Sequence, residues 1–136
     1  MYLLDTNVIS AARRHDPAVA AWLAQVRGRP LFLSALTVGE IRRGITKART
    51  LDARAAHQLE RWLERTVADF AGNVLPVDQD VAGVWGDLSA ARSLPVIDAL
   101  IAATAQHHGL AVVTRNVRDF AAAGVPLIDP WNPPAL

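Results

Sequence analysis

The stretch at residues 110–114 constrains the fold of this chain most strongly, because it stays apolar without interruption up to Thr114. A strand of this kind is buried on both faces, as at the centre of a parallel sheet. Shorter apolar runs recur along the chain, and stretches with helical spacing separate them. Strands that alternate with helices predict an α/β fold of three layers, in which helices flank a twisted, mostly parallel five-stranded sheet.

The boundaries of these elements follow from the apolar spacing and from helix start and stop signals. Pro76 favours an edge position for the third strand, because proline cannot donate a ladder hydrogen bond. The predicted strands are residues 2–5, 31–33, 74–77, 110–114 and 125–128. The predicted helices are about residues 6–12, 17–26, 38–45, 52–70, 81–88, 95–108 and 117–123.

The composition is that of a globular protein, with 51% hydrophobic and 20% charged residues among 136, and we expect one domain over residues 1–136. No apolar run approaches the ~20 residues that cross a bilayer. The N-terminus lacks a basic signal segment and the chain has no Cys, so we expect a cytoplasmic protein without membrane contact. The net charge of +1 is nearly neutral, although residues 42–54 are rich in Arg. That basic stretch fits RNA phosphates or a solvated helix face.

Four acidic residues are expected to meet at one edge of the predicted sheet. Asp5 ends the first strand, and Glu40 and Asp119 lie in the first turns of the helices after the second and fourth strands. Asp98 begins a helix that returns antiparallel to the fourth strand, so it reaches the same edge. Ligands bind outside the carboxyl ends of the strands in such sheets. The arrangement therefore predicts a ligand site.

Each of these acids also has a purely structural interpretation. Thr37 and Glu40 match a capping box, and Asn116 precedes Asp119 with the same spacing. Asp98 complements a helix dipole. Asp5 is harder to explain as a cap, because the two residues that follow it are themselves good capping residues. Three further acids near predicted strands or turns are left out of the site, namely Asp78, Asp80 and Asp129.

The combination favours a metal site over four separate caps. Carboxylates crowded at one edge repel one another and raise their pKa values, and a divalent cation removes that repulsion. Ligands that are all oxygen select a hard ion, Mg²⁺ or in its place Mn²⁺. Such an ion activates water for the hydrolysis of phosphodiester bonds.

Four motifs in order, "LLDTNVIS", "TVGEIRRG", "PVIDALIAATA" and "VVTRNVRDF", resemble those of the PIN-domain ribonucleases, particularly the VapC-type toxins of bacterial toxin–antitoxin pairs. The resemblance runs from residue 2 to about residue 131. It implies a PIN-like fold, and a Mg²⁺-dependent endoribonuclease that hydrolyses RNA through metal-activated water.

Site residues follow from the same resemblance. It implies that Asp5 and Asp98 are the main metal ligands, and that Glu40 and Asp119 act directly or through metal-bound water. The fourth acidic position is either Asp119 or Asn116, and we favour Asp119 because a carboxylate binds metal more strongly. Supporting roles fall to Thr6 and Asn7, which shape the turn after the first strand, and to Thr114, whose hydroxyl orients Asp5.

Partners are implied in the same way: an RNA substrate, a VapB-type antitoxin whose C-terminal segment blocks the acidic site, and a second copy of the chain in a homodimer. The basic stretch at residues 42–54 could face RNA or an acidic antitoxin surface. Trp131, in a proline-rich tail, either packs back on the domain or joins an interface.

Two other functions compete with this hypothesis. A Mg²⁺-dependent phosphatase also begins with an Asp that ends the first strand, but dehalogenase-type enzymes place a second Asp where this chain has Asn7. They also need a late Lys, and Lys47 is the only Lys here. The remaining alternative is a catalytically inactive PIN-like binding module, although all four acids are present.

Overall fold

The computed structural model describes residues 1–134 and contains a five-stranded sheet in which every neighbouring pair of strands is parallel. The strands lie in the order β3-β2-β1-β4-β5. The predicted α/β class and parallel sheet are therefore confirmed, and Pro76 directly follows an edge strand as expected. The strands are β1 (Tyr2–Leu4), β2 (Leu31–Ser34), β3 (Val74–Leu75), β4 (Ala111–Val113) and β5 (Leu127–Ile128).

Helices connect all successive strands, and each predicted helix is present within a few residues of its expected bounds. The last one is a single turn of α-helix that continues as a 3₁₀ turn, Ala121–Ala123. The helices are α1 (Thr6–Arg13), α2 (Pro17–Gln25), α3 (Ala35–Arg49), α4 (Ala53–Asp69), α5 (Gln79–Ala91), α6 (Val96–His108) and α7 (Val117–Phe120). None of the helices within residues 1–134 has the length and apolar character required to cross a membrane.

The start of α3 differs from the prediction. The helix begins at Ala35, three residues before the expected start, because the Ser34 hydroxyl accepts a hydrogen bond from the Leu36 N–H and caps it. Thr37 therefore lies inside the first turn and is completely buried. The proposed capping box with Thr37 as N-cap is wrong, and Glu40 is left without a capping role.

Successive residues of the central strands face opposite sides of the sheet and belong to different cores. Leu4 and Val113 pack with the side chains of α1 to α4, whereas Leu3 and Val112 pack with those of α6 and the segment around α7. All four are at most 2% exposed. The uninterrupted apolar run of β4 follows from this burial on both faces.

The C-terminal segment folds back on the first of these cores. Trp131 is partly buried and packs against that cluster, as the first of its two expected placements predicts. Its indole N–H donates to the carboxylate of Asp16, the residue that caps α2. The tail therefore connects the end of the sheet with the start of α2.

Replacing a fully buried side chain of α6 measures how much the core between the sheet and α6 contributes to the stability of the fold. We expect Ile101→Ala to lower the free energy of unfolding by about 2–4 kcal/mol, because it removes buried methyl groups and leaves a cavity. Urea unfolding followed by circular dichroism measures this change. The control Leu51→Ala, at a residue that is 89% exposed, should change it by less than about 0.5 kcal/mol. Equal effects of the two variants would contradict the packing described.

Candidate active site

Asp5 occupies the carboxyl end of β1, at the centre of the sheet. Its backbone N–H donates to the Val113 carbonyl at 2.9 Å, which continues the pairing of β1 with β4 by one residue. The side chain is only 4% exposed. The position of this acid is therefore set by the central strand pair rather than by a mobile loop.

Three donors hold the Asp5 carboxylate. The Thr6 backbone N–H donates to Oδ1 at 2.8 Å, so Asp5 does cap α1, contrary to the argument that made this role improbable. The Thr114 hydroxyl donates to Oδ2 at 2.8 Å, and the Asn7 amide donates to the same oxygen at 3.2 Å. Burial nevertheless raises the pKa of Asp5, and the charge of Glu40 adds to this rise while the three hydrogen bonds oppose it.

The Thr114 hydroxyl has no spare hydrogen-bonding capacity. Its oxygen accepts from the Asn116 backbone N–H at 2.9 Å and from the Asn7 side-chain amide at 3.4 Å. Because a hydroxyl has a single proton and two lone pairs, this proton is committed to Asp5. Thr114 is completely buried, so water does not compete for these bonds.

Glu40 reaches the same region from α3. Its Oε1 accepts a hydrogen bond of 2.7 Å from the Thr6 hydroxyl, which joins α1 to α3 across 34 residues of sequence. The residue itself is exposed. Thr6 thus contacts one acid through its backbone and another through its side chain.

Asp98 lies in the first turn of α6 and is partly buried. Its pKa is raised to about 6, first by burial and then by the charges of Asp5, Asp119 and Glu40. That electrostatic influence places the four acids in one neighbourhood, although they come from four separate segments. Asp119 is exposed in α7, immediately beyond β4.

Asn116 does not have the capping role that was used to set it aside. It precedes α7, but its side chain makes no capping hydrogen bond, and only its backbone N–H serves the site through Thr114. Its side chain is exposed beside the acidic neighbourhood. Asp119, in contrast, acts on Asp98 through its charge.

The donor set fits a hard divalent cation. Both salt bridges found in residues 1–134 involve Glu60, so none of the four acids has a basic side chain against it. Over the same residues, no three acidic or histidine side chains are gathered tightly enough to enclose an ion. The chemistry of the four carboxylates therefore suits a hard cation, and their charges add to the effect of burial in raising the pKa of Asp98.

The remaining acids and part of the basic stretch have other roles. Asp78 caps α5 through the Val81 N–H, and Asp129 accepts from the Trp131 N–H, in agreement with leaving both out of the site. Arg42 and Arg49 both pair with Glu60, at 2.8 Å and 3.2 Å. Part of the basic stretch therefore fastens α3 to α4.

Residue 115 is the site contributor that the sequence did not reveal. The Arg115 backbone N–H donates to the Asn7 side-chain oxygen at 3.2 Å. A backbone donor leaves no trace in residue type, so no motif could have identified it. The guanidinium of Arg115 lies over the Trp131 ring, with 4.7 Å to the ring centroid.

The sequence and the structure are both similar to those of known proteins. The sequence model of the PIN domain matches residues 2–125. Toxin FitB of Neisseria gonorrhoeae is 38% identical over 140 residues, which cover 97% of this chain and 99% of FitB. VapC ribonuclease Y4jK of Sinorhizobium fredii is 39% identical over 98% of this chain and 99% of its own length.

Solved structures with a similar fold include proteins of the same kind. The crystal structure of FitAcB from Neisseria gonorrhoeae matches with a TM-score of 0.86 at 37% identity, over 97% of this chain and 99% of that one. A toxin–antitoxin complex from Klebsiella pneumoniae matches with a TM-score of 0.72 at 27% identity, over 96% of this chain and 98% of that one.

Neutralising Asp98 should raise the thermal stability of the metal-free protein and reduce the stabilisation that added metal provides. A folded-state pKa raised from 3.8 to about 6 means that this carboxyl destabilises the fold as the pH rises through that window. In EDTA at pH 7.5, Asp98→Asn should therefore raise the Tm by about 3 °C, or on the order of 1 kcal/mol after allowance for solvent screening. At pH 4 the difference should shrink, because the wild-type carboxyl is then largely protonated.

Thermal denaturation with added Mn²⁺ supplies the second half of this test. Wild-type protein should gain stability from Mn²⁺ and the Asp98→Asn variant should gain far less. The control Asp87→Asn, at an exposed residue of α5, should behave like wild type in both buffers. If Asp98→Asn had a lower Tm than wild type in EDTA at pH 7.5, the proposed destabilisation by the charged Asp98 carboxylate would be wrong.

Proposed function

Because this chain belongs to the PIN-domain family and its VapC-type toxins, we propose that it is a Mg²⁺-dependent endoribonuclease, the toxin of a type II toxin–antitoxin pair. The observation that carries the proposal is the group of four acids at the carboxyl edge of the sheet, where Asp5 is buried and the pKa of Asp98 is raised first by burial and then by the charges of the others. We further infer that the protein acts in the cytoplasm.

Asp5 and Asp98 are the residues that would hold the ion, and Glu40 and Asp119 would complete the set directly or through water. When bound, the ion supplies Lewis-acid polarisation of a phosphate and lowers the pKa of a water molecule. No histidine is assigned a part in this chemistry. Mn²⁺ would substitute, since it accepts the same oxygen ligands.

The uncharged side chains hold these acids in place. Thr114 and Asn7 fix the plane of the Asp5 carboxylate through Oδ2, and the Thr6 N–H occupies Oδ1 from the α1 side. Thr6 also restrains Glu40 through its hydroxyl. A carboxylate with fixed orientation binds an ion with a smaller loss of conformational entropy. These residues therefore contribute to metal affinity without contacting the substrate.

We propose that the antitoxin segment lies in the groove beside α1. A cavity of about 710 Å³ with a largely apolar lining, including Val8, Leu23 and Phe70, opens between α1, α2 and α4. A second cavity of about 260 Å³ borders it at Arg13 and continues to Thr6 and Glu40. A peptide with an apolar face in the first cavity would reach the acids through the second. The similar structure from Klebsiella pneumoniae is a toxin–antitoxin complex, which supports an antitoxin as the partner of this chain.

We also propose that the protein forms a homodimer. Val96, Ile97 and Val117 are exposed apolar residues at the starts of α6 and α7, next to Asp98 and Asp119. α6 and α7 contact each other, and exposed apolar side chains on neighbouring elements are typical of interaction surfaces. Light scattering on the purified protein measures the number of subunits directly.

Cleavage of RNA by purified protein tests the enzymatic part. We expect cleavage with Mg²⁺ or Mn²⁺ and its loss in EDTA. Asp5→Asn should lower the rate at least 100-fold, because an amide binds a hard cation far more weakly than a carboxylate. The matched control is Asp52→Asn, which changes the cap of α4 away from the acids and should leave the rate unchanged. Binding of Mn²⁺ without cleavage of any RNA would favour the inactive binding module, and absence of both would overturn the metal site.

Inhibition by the antitoxin tests the groove. Leu23→Glu places a charge on the wall of the larger cavity and should weaken inhibition at least tenfold, while RNA cleavage stays at the wild-type rate. Leu51→Glu, at an exposed residue outside the cavity, should be inhibited like wild type. Circular dichroism establishes that both variants are folded. If the antitoxin inhibited wild type, Leu23→Glu and Leu51→Glu equally, the groove beside α1 would not be its binding site.

A further inference from the structure

Trp131 is fixed in place by the residue that caps α2. Its indole N–H donates to Asp16 Oδ2 at 3.1 Å, while Asp16 Oδ1 accepts from the Ala18 N–H at 2.9 Å. The hydrogen bond from Trp131 is the main reason that the pKa of Asp16 is lowered. The ring therefore has one position, set by an ionised carboxylate and by packing against the core of α1 to α4.

The fixed ring in turn holds Arg115. The guanidinium carbon lies 4.7 Å from the ring centroid, within the range of a cation–π interaction, and the charge of Arg115 also acts on Asp16. Arg115 is otherwise an exposed residue in the loop between β4 and α7. Stacking on Trp131 therefore ties the side chain of Arg115, and with it this loop, to the C-terminal segment.

The backbone of the same loop decides how the amide of Asn7 is turned. The Arg115 N–H donates to Asn7 Oδ1 at 3.2 Å, so Asn7 Nδ2 faces Asp5 Oδ2 at 3.2 Å. If the loop moved away, the Asn7 amide oxygen would lose its donor, and only the contacts of Nδ2 with Asp5 and Thr114 would still hold the amide. The amide would then be less firmly fixed as a donor to Asp5.

We propose that Trp131 is a positioning residue for the Asp5 carboxylate and acts on it through Arg115 and Asn7. The inference rests on the proposed function, because Asp5 is there taken as a metal ligand. Trp131 lies beyond residues 2–125, the segment that the PIN-domain sequence model covers. The residue that begins this path therefore lies outside the segment that the PIN-domain model matches.

The test compares Trp131→Leu, Arg115→Met and their double variant, prepared as full-length protein freed of metal with EDTA. Mn²⁺ affinity is measured by electron paramagnetic resonance, and exchange of the Arg115 backbone amide by NMR. Each single variant should bind Mn²⁺ about tenfold more weakly, the lower end of the range for partners that orient metal ligands. The double variant should be no worse than the weaker single variant, because both substitutions break the same path. Exchange of the Arg115 amide should be faster in all three.

Two further variants separate positioning from general destabilisation. Trp131→Phe keeps an aromatic face under Arg115 but loses the hydrogen bond to Asp16, so it should recover only part of the Mn²⁺ affinity that Trp131→Leu loses. Trp22→Leu removes a more deeply buried indole from the same core and should lower the Tm without changing Mn²⁺ affinity or Arg115 exchange. In RNA cleavage, Trp131→Leu should lower kcat and leave KM unchanged, since it alters the site rather than substrate binding.

Wild-type Mn²⁺ affinity together with wild-type Arg115 exchange in Trp131→Leu would overturn the inference. Additive losses in the double variant would also overturn it, because the two residues would then act separately. If the wild-type protein neither bound Mn²⁺ nor cleaved RNA, the proposed function would fail. Slow Arg115 exchange that depends on Trp131 would even then support the path from the tail to Asn7.

Discussion

Parallel pairing of β1 with β4 is the constraint on which the rest of the structure depends. The two strands are separated by more than 100 residues, yet their pairing places Leu4 beside Val113 and therefore Asp5 beside Thr114. The hydrogen bond from the Thr114 hydroxyl to Asp5 crosses 109 residues of sequence. The two cores need the same pairing, because each central strand supplies alternate side chains to both. The pairing that completes the two cores therefore also completes the acidic edge.

The acidic edge has an energetic cost that the cores must offset. Burial and mutual repulsion raise the pKa of Asp5 and of Asp98, so the metal-free protein is less stable at neutral pH than the same fold with neutral side chains. The buried Thr114 hydroxyl and the Asn7 amide reduce that cost for Asp5 without neutralising it. Natural proteins keep local departures from stability mainly where a function needs them. The repulsion is therefore consistent with a site that binds a cation.

Most of the fold could be predicted because each element carried its own signal. The apolar runs marked the strands, while Asp16 before α2, Pro17 at its start and Gly109 after α6 marked helix ends. The start of α3 was placed too late, since Thr37 was taken as the cap, whereas Ser34 ends the strand and caps the helix as well. The neighbourhood of the four acids followed from topology alone. The contributions of Arg115 and Trp131 did not, because one is made by the backbone and the other depends on a tail that closes over a distant helix.

The strand order has a consequence for the chain during its synthesis. The half of the sheet that contains β1, β2 and β3 is complete in the first 75 residues, and it already contains Asp5 and Glu40. The central partner β4 and the acid of α7 are synthesised after this half, followed by β5 and the segment at Trp131. A nascent chain therefore exposes one side of β1 until β4 has left the ribosome. The acidic edge cannot be completed before residues 111–119 have emerged.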